Sequence, residues 1–310
     1  MRLQELKYEF LTGKTDKWSY IDKMYDHHSL LLEYADFLKQ TNISAISIQD
    51  DGVVMDFRDS GVRFLTAGQD KRLASLESLN FGHYEKEELD IQLALIDAGS
   101  TVFDIGGNYG WYACHVAKQF STCSIHSFEP IPATYSFLEK NIQLNHLQNV
   151  KAVPIGFSDT KGSFDFSYDP ALSVNASLKN VSAGANVVSV TCQVETVDEY
   201  LKGKDVVIDF IKCDVEGAEL LVYKGALETL KSQKPMVFSE MLRKWTSKFD
   251  YHPNDIIALF REIGYEIFVI EGDKLAPFSI VDENTTQTNY IFLHKEKHAH
   301  KIRQFVQSAD

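Results

Sequence analysis

Four acidic positions, each closing a short apolar run, carry the chemistry legible in this chain. Asp104 follows Val102-Phe103 and precedes Gly106, Gly107, Asn108 and Gly110. Glycines there let the backbone turn sharply and approach a ligand without a Cβ clash. A dinucleotide site would want G-x-G-x-x-G, so that helix amides hold a pyrophosphate. Here Asn108 replaces the second glycine. Asp104 would repel phosphate but suits a cationic ligand with an α-amino group. D-x-G-x-x-x-G after a strand therefore fits S-adenosylmethionine better than NAD; the plain alternative is a βα turn with an N-terminal Asp.

Glu129 ends a second run, 124–128. An acid at the tip of the second strand of such folds hydrogen-bonds a ribose diol. In the third cluster, strand alternation puts Lys212 and Asp214 on one side. Glu216 and Glu219 follow at a helix start, where carboxylates suit the dipole. Glu219 reads as a cap. Lys212, Asp214 and Glu216 converge at a strand end, and Glu240, at the end of residues 236–239, would lie beside them. Carboxylates converging at a strand end suit general-base work. Asp214 is preferred, because Lys212 would hold it, with Glu216 and Glu240 as alternatives. A second arrangement makes Asp214 and Glu240 ligands of Mg²⁺ or Mn²⁺, for which the sequence shows no third ligand. Among the aromatics that could stack on a sugar (Trp111, Tyr112, Tyr168, Trp245, Tyr251), Trp245 is the acceptor-side choice, together with Arg243.

The elements that must position these groups alternate. Strands are expected at 101–105, 123–128, 150–155, 206–213, 235–240, 265–271 and 288–294, and helices at 110–119, 132–146, 217–231 and 253–263. This predicts an α/β fold: a mostly parallel, Rossmann-like sheet of seven strands with helices on both faces. Residues 1–40 read as helical, either a cap packed on the main domain or a dimerisation or gating element. Residues 43–66 read as a small antiparallel meander, with hairpin signals at Asp51-Gly52 and Ser60-Gly61. Residues 156–205 form an insertion near the site, with strands at 163–168 and 187–194 and loops at 175–178 and 182–186. The division is thus 1–80 as an extension, 81–296 as the catalytic domain and 297–310 as a tail. The tail's histidines sit among lysines and read as solvated.

The formal net charge of −13 over 310 residues argues against nucleic acid as a partner. No window suits a membrane span. The N-terminus is too polar for a signal peptide. Cys114, Cys123, Cys192 and Cys213 lack metal spacing and read as reduced thiols in a cytoplasm.

Tyr84-Glu85, VFDIGGNYGWY at 102–112, FEP at 128–130, SDTKG at 158–162, TVDEYL at 196–201 and KCDVEGAELLVYKGA at 212–226 resemble the FkbM-type family of S-adenosylmethionine-dependent methyltransferases, over about residues 45–294. The family usually has Ala at 107 and an aliphatic residue at 213. The resemblance implies a class I fold and a cofactor held by Asp104, Gly106, Gly107, Asn108, Gly110 and Glu129. Tyr84, Glu85, Phe128 and Pro130 join that set, and Gly156-Phe157 would border the adenine. It also implies O-methylation of a sugar, glycan or other small acceptor, as in polysaccharide biosynthesis. The rivals are an NAD-dependent dehydrogenase or epimerase, disfavoured by Asn108 and the lack of a Tyr-x-x-x-Lys pair, and a non-catalytic scaffold.

Overall fold

Neighbouring residues along each central strand face opposite layers, and this sorts the core onto two sides of one sheet. In the computed structural model, which describes residues 2–50, 52–66, 70–169, 172–177 and 187–306, Phe103, Ile105 and Ile211 pack into one apolar layer. Val102 and Phe210 pack into the other.

The chain opens with helices α1 (Arg2–Leu11) and α2 (Lys17–Phe37), then an antiparallel meander of β1 (Ile43–Gln49), β2 (Gly52–Phe57) and β3 (Arg63–Thr66). Helices α3 (Ala74–Phe81) and α4 (Lys86–Leu95) lead into β4 (Thr101–Ile105), α5 (Trp111–Gln119), β5 (Ser124–Phe128), α6 (Pro132–Leu144) and β6 (Val150–Val153). Next come β7 (Gly156–Phe157), β8 (Gly162–Asp169), β9 (Leu172–Ser177) and β10 (Val188–Glu195), which form their own four-stranded sheet. Then follow α7 (Val197–Leu201), β11 (Phe210–Cys213), α8 (Glu219–Lys224), α9 (Leu227–Gln233), β12 (Met236–Glu240), α10 (Arg243–Thr246) and α11 (Pro253–Glu262). The chain ends with β13 (Tyr265–Glu271), β14 (Lys274–Pro277), β15 (Asn289–His294) and α12 (Ala299–Phe305).

The main sheet has the order β14-β13-β15-β12-β11-β4-β5-β6. β4, β5, β6, β11 and β12 run parallel, while β15 is antiparallel to β12 and β13. From β4 the chain builds outward to β5 and β6, then returns to add β11 and β12 on the other side. Strand order therefore reverses at β4, and a crevice opens beyond its carboxyl end.

Several expectations are corrected. The sheet has eight strands rather than seven, because β14 folds back on β13. The helix expected over 217–231 is two, α8 and α9. Asn175, Ala176 and Ser177, expected in a loop, belong to β9, while the expected loop at 182–186 lies outside the described residues. Among the described residues the C-terminal segment is not solvated throughout, although His300 is exposed. His294, His298 and Lys301 are buried, with Lys301 Nζ donating to Asp97 Oδ1 at 2.8 Å. The N-terminal helices do not form a buried cap, since neither contains a buried residue.

Candidate active site

Sheet register assembles the floor of the crevice. Asp104 lies opposite Ser127 on one side and Lys212 on the other, so the three side chains share a face. Ser127 Oγ donates to Asp104 Oδ2 at 2.7 Å. Lys212 Nζ lies 3.9 Å from Asp104 Oδ1 and donates to Asp214 Oδ2 and to the Gly106 carbonyl, each at 3.2 Å. Burial alone would lower the Lys212 pKa. The carboxylates of Asp214, Asp104 and Glu85 reverse this and raise it, so the ammonium stays charged. Asp104 is 2% exposed and lies beneath the glycine loop, turned to Ser127 and Lys212.

The loop above is close-fitting. A Cβ on Gly106 would stand 1.8 Å from the Asp214 carbonyl oxygen, and one on Gly107 2.1 Å from Ser127 Oγ. Glycine at 107 is thus matched to the serine that holds Asp104. The Asn108 N–H donates to Glu129 Oε2 at 3.0 Å and the Ile131 N–H to Oε1 at 2.9 Å. Burial pushes the Glu129 carboxyl up to about 7 against the pull of those bonds. Behind the loop, fully buried Asn141 of α6 joins two parts of the chain. Its amide donates to the Tyr109 carbonyl and its oxygen accepts the Leu65 N–H of β3, both at 2.8 Å.

A cavity of about 290 Å³ opens between this loop and the ends of β11 and β12. Gly107, Asn108, Tyr84, Glu85, Lys212, Asp214, Glu216 and Glu240 all line it. One oxygen from each of Asp214, Glu216 and Glu240 lies within 4.8 Å of the others. Burial and then Asp214 drive the Glu216 and Glu240 carboxyls well above the ordinary range, with Glu219 adding to the shift of Glu216 and Glu216 to that of Glu240. Glu85, raised by burial and by Asp214, accepts a 2.5 Å bond from the Tyr112 hydroxyl. Glu85, Asn108 and Glu216 have φ of +42°, +48° and +54°. They make up half of the six non-glycine residues with positive φ among the described residues, and such strain collects at functional sites.

The other expected positions fall elsewhere. Gly106, Gly110, Glu129, Pro130 and Gly156 do not line this cavity. The Phe128 and Phe157 rings pack against each other in the core, centroids 4.6 Å apart. No described residue of the 156–205 insertion lines it either. Trp111, Tyr112 and Trp245 do, whereas Arg243 turns away to the carbonyls of Glu283 and Thr285. The Tyr251 hydroxyl is taken by the Gly217 carbonyl, and the Tyr168 side chain lies outside the described residues. Sequence reasoning missed Arg72, Leu73 and Ala74, which bring the N-terminal extension to the cavity, and Tyr109, Leu242 and Lys244. It also missed Asn141 and Asn145, whose signal was two amides, four residues apart, in the expected helix 132–146.

The family model described as the methyltransferase FkbM domain matches residues 104–267, from the floor aspartate through β13. The chain belongs to the FkbM methyltransferase family. Among similar proteins, Methyltransferase sdnD of Sordaria araneosa is 29% identical over 44% of this chain and 64% of its own length. Hexuronic acid methyltransferase AglP of Haloferax volcanii is 27% identical over 48% and 59%. The chain thus spans about six-tenths of the length of these relatives. A solved structure of Methyltransferase FkbM from Methylobacillus flagellatus aligns over 69% of this chain and 52% of its own, at 15% identity and a TM-score of 0.42.

Proposed function

We propose that this chain is an S-adenosylmethionine-dependent O-methyltransferase acting on a hydroxyl of a sugar, glycan or similar small acceptor. One observation carries the reading. The glycine loop and a cluster of carboxylates held by a buried lysine line the same cavity at the reversal of strand order. A hexuronic acid methyltransferase among the relatives supports a sugar acceptor. Nucleic acid has no place in this reading, and self-association through the N-terminal helices does. Among the described residues no helix is long and apolar enough to cross a membrane.

Bound across the loop, S-adenosylmethionine supplies an activated methyl group, so the protein need provide only alignment and a base. Asp214 is the base in this reading. Its Oδ2 is held by Lys212, and its Oδ1 has no hydrogen-bond partner. Asp214 takes the hydroxyl proton as the acceptor oxygen becomes nucleophilic, and Lys212 stays charged beside it. Lys244 and Trp245 border the cavity on the α10 side, next to where the acceptor would lie.

Turnover of Asp214→Asn, Glu216→Gln and Glu240→Gln at saturating cofactor tests the assignment. Near-normal rates in all three would leave the reaction without its base. Calorimetry with S-adenosylhomocysteine and with NAD separates this reading from a dehydrogenase, and binding of neither would indicate a scaffold. A glycan and small-molecule screen, read by mass spectrometry for a gain of about one CH₂, identifies the acceptor.

The three-carboxylate cluster favours a second reading of the same site. Asp214, Glu216 and Glu240 would hold Mg²⁺ or Mn²⁺, which acidifies the acceptor hydroxyl. Glu216, whose carboxylate lies within 4.8 Å of the other two, would be the third ligand. Loss of activity in EDTA, restored by either ion, selects this version; full activity in EDTA rejects it.

A further inference from the structure

Helices α1 and α2 form a hairpin with no buried residue, although it is rich in apolar side chains. Eleven of the sixteen large apolar side chains that are exposed among the described residues lie between Leu3 and Phe37. The two helices touch through Phe10 and Tyr20, whose rings stack at 4.5 Å. Leu38, just beyond α2, anchors the pair against the meander core. Most helical stability in proteins comes from packing an apolar face, and this hairpin leaves most of its apolar surface open.

Half of the exposed large apolar side chains on α2 follow one periodic pattern, while Leu30, Leu31, Tyr34 and Phe37 lie off it. Trp18, Ile21, Tyr25, His28, Leu32 and Ala35 recur at alternating steps of three and four residues, and all six are exposed. That is the spacing of a seam that packs against another helix. Asp22, Asp26, Ser29, Glu33 and Asp36 form the polar stripe, with four carboxylates and no cation. A helix lying on an anionic lipid surface carries Lys and Arg on its polar face instead, so the stripe argues against a lipid surface. Summed over the eleven exposed side chains of both helices, with ~150–250 Å² for each aromatic and about half of it open, the surface is on the order of 1,000 Å², spread around the hairpin and including the seam. A typical monomer's largest apolar patch is about 300–600 Å², and a standard interface takes about 800 Å² from each partner.

We infer that α2 is a homodimerisation element: the seam of one chain packs on the same seam of a second copy across a two-fold axis. The two hairpins then form a four-helix arrangement. The interface lies in residues 17–37, outside the cavity lining, so the inference stands or falls separately from the methyl-transfer reading.

Light scattering on the full chain, at micromolar concentration, should give twice the 35.2 kDa chain mass. The double variant Ile21→Glu/Leu32→Glu should give the single mass with unchanged circular dichroism and unchanged affinity for S-adenosylhomocysteine. Oxidised His28→Cys should cross-link into a dimer, whereas Asp26→Cys, on the polar stripe, should not. A monomeric wild type, or a double variant that remains dimeric, overturns the inference.

Discussion

The two ends of the crevice treat carboxylates in opposite ways. At the loop end Glu129 is buried, and each of its oxygens accepts a backbone N–H. Asp104 is countered by Ser127 and Lys212. At the other end Asp214, Glu216 and Glu240 face one another across less than 4.8 Å, with Lys212 bonded to Asp214. At the loop end the carboxylates are buried and held chiefly by backbone N–H groups, Ser127 and Lys212. At the other, burial and Asp214 push Glu216 and Glu240 well above the ordinary carboxylate range, beside an Asp214 that Lys212 bonds. In the proposed reading the nucleoside site needs fixed geometry, whereas the base needs a carboxylate within reach of the acceptor hydroxyl.

The sharpest way to break this contrast is at the open end. Asp214→Asn should lower kcat by ~10²–10⁴-fold while leaving S-adenosylhomocysteine affinity within a few-fold in calorimetry. Loss of affinity with kcat retained would reverse the roles of the two ends. At the loop end, Glu129→Ala should weaken cofactor affinity by roughly tenfold or more, since a charge-assisted hydrogen bond contributes ~1.5–3 kcal/mol. Turnover at saturating cofactor should fall much less.

Two further substitutions sharpen the contrast with smaller effects. Gly107→Ala drives a Cβ into Ser127 Oγ and should destabilise by ~1–3 kcal/mol, the usual cost of overpacking. Ser127→Ala removes that clash along with the Asp104 hydrogen bond, so the double variant should lose less than the sum of the two single losses in denaturant unfolding. Glu219, whose Oε1 accepts the Val215 and Gly217 N–H groups, is buried and pushed up to about 7 from 4.5. A carboxyl raised in the folded state contributes stability that is whole below pH 4.5 and lost as pH rises through about 7. The loss is on the order of 3 kcal/mol. Glu219→Gln should flatten the fall in unfolding free energy between pH 4.5 and 8 by up to that amount.

Local pattern was enough for much of this. The alternating runs around Val102-Phe103, the helical stripe of α6 and the glycines after Asp104 are signals within ten or so residues, and strand, turn and helix form from such neighbours. Asp214 and Glu240 were legible for the same reason, as acids at the ends of apolar runs. The hidden features depend on contacts between distant segments. Arg72 borders the cavity only because the meander docks on α6 through Asn141 and Asn145, which also accepts the Arg63 N–H. His298 is buried only because α12 packs beside the sheet.

The sequence by itself determined which residue types stand at strand ends, where the backbone can turn, and the family. Tertiary structure decided what each charge meets: Asp104 beneath the loop on Lys212, Glu216 turned toward Asp214 and Glu240, and the hairpin seam left open. A side chain's chemistry is local, but its solvation and its charged neighbours are set by whichever segments folding brings within a few ångströms.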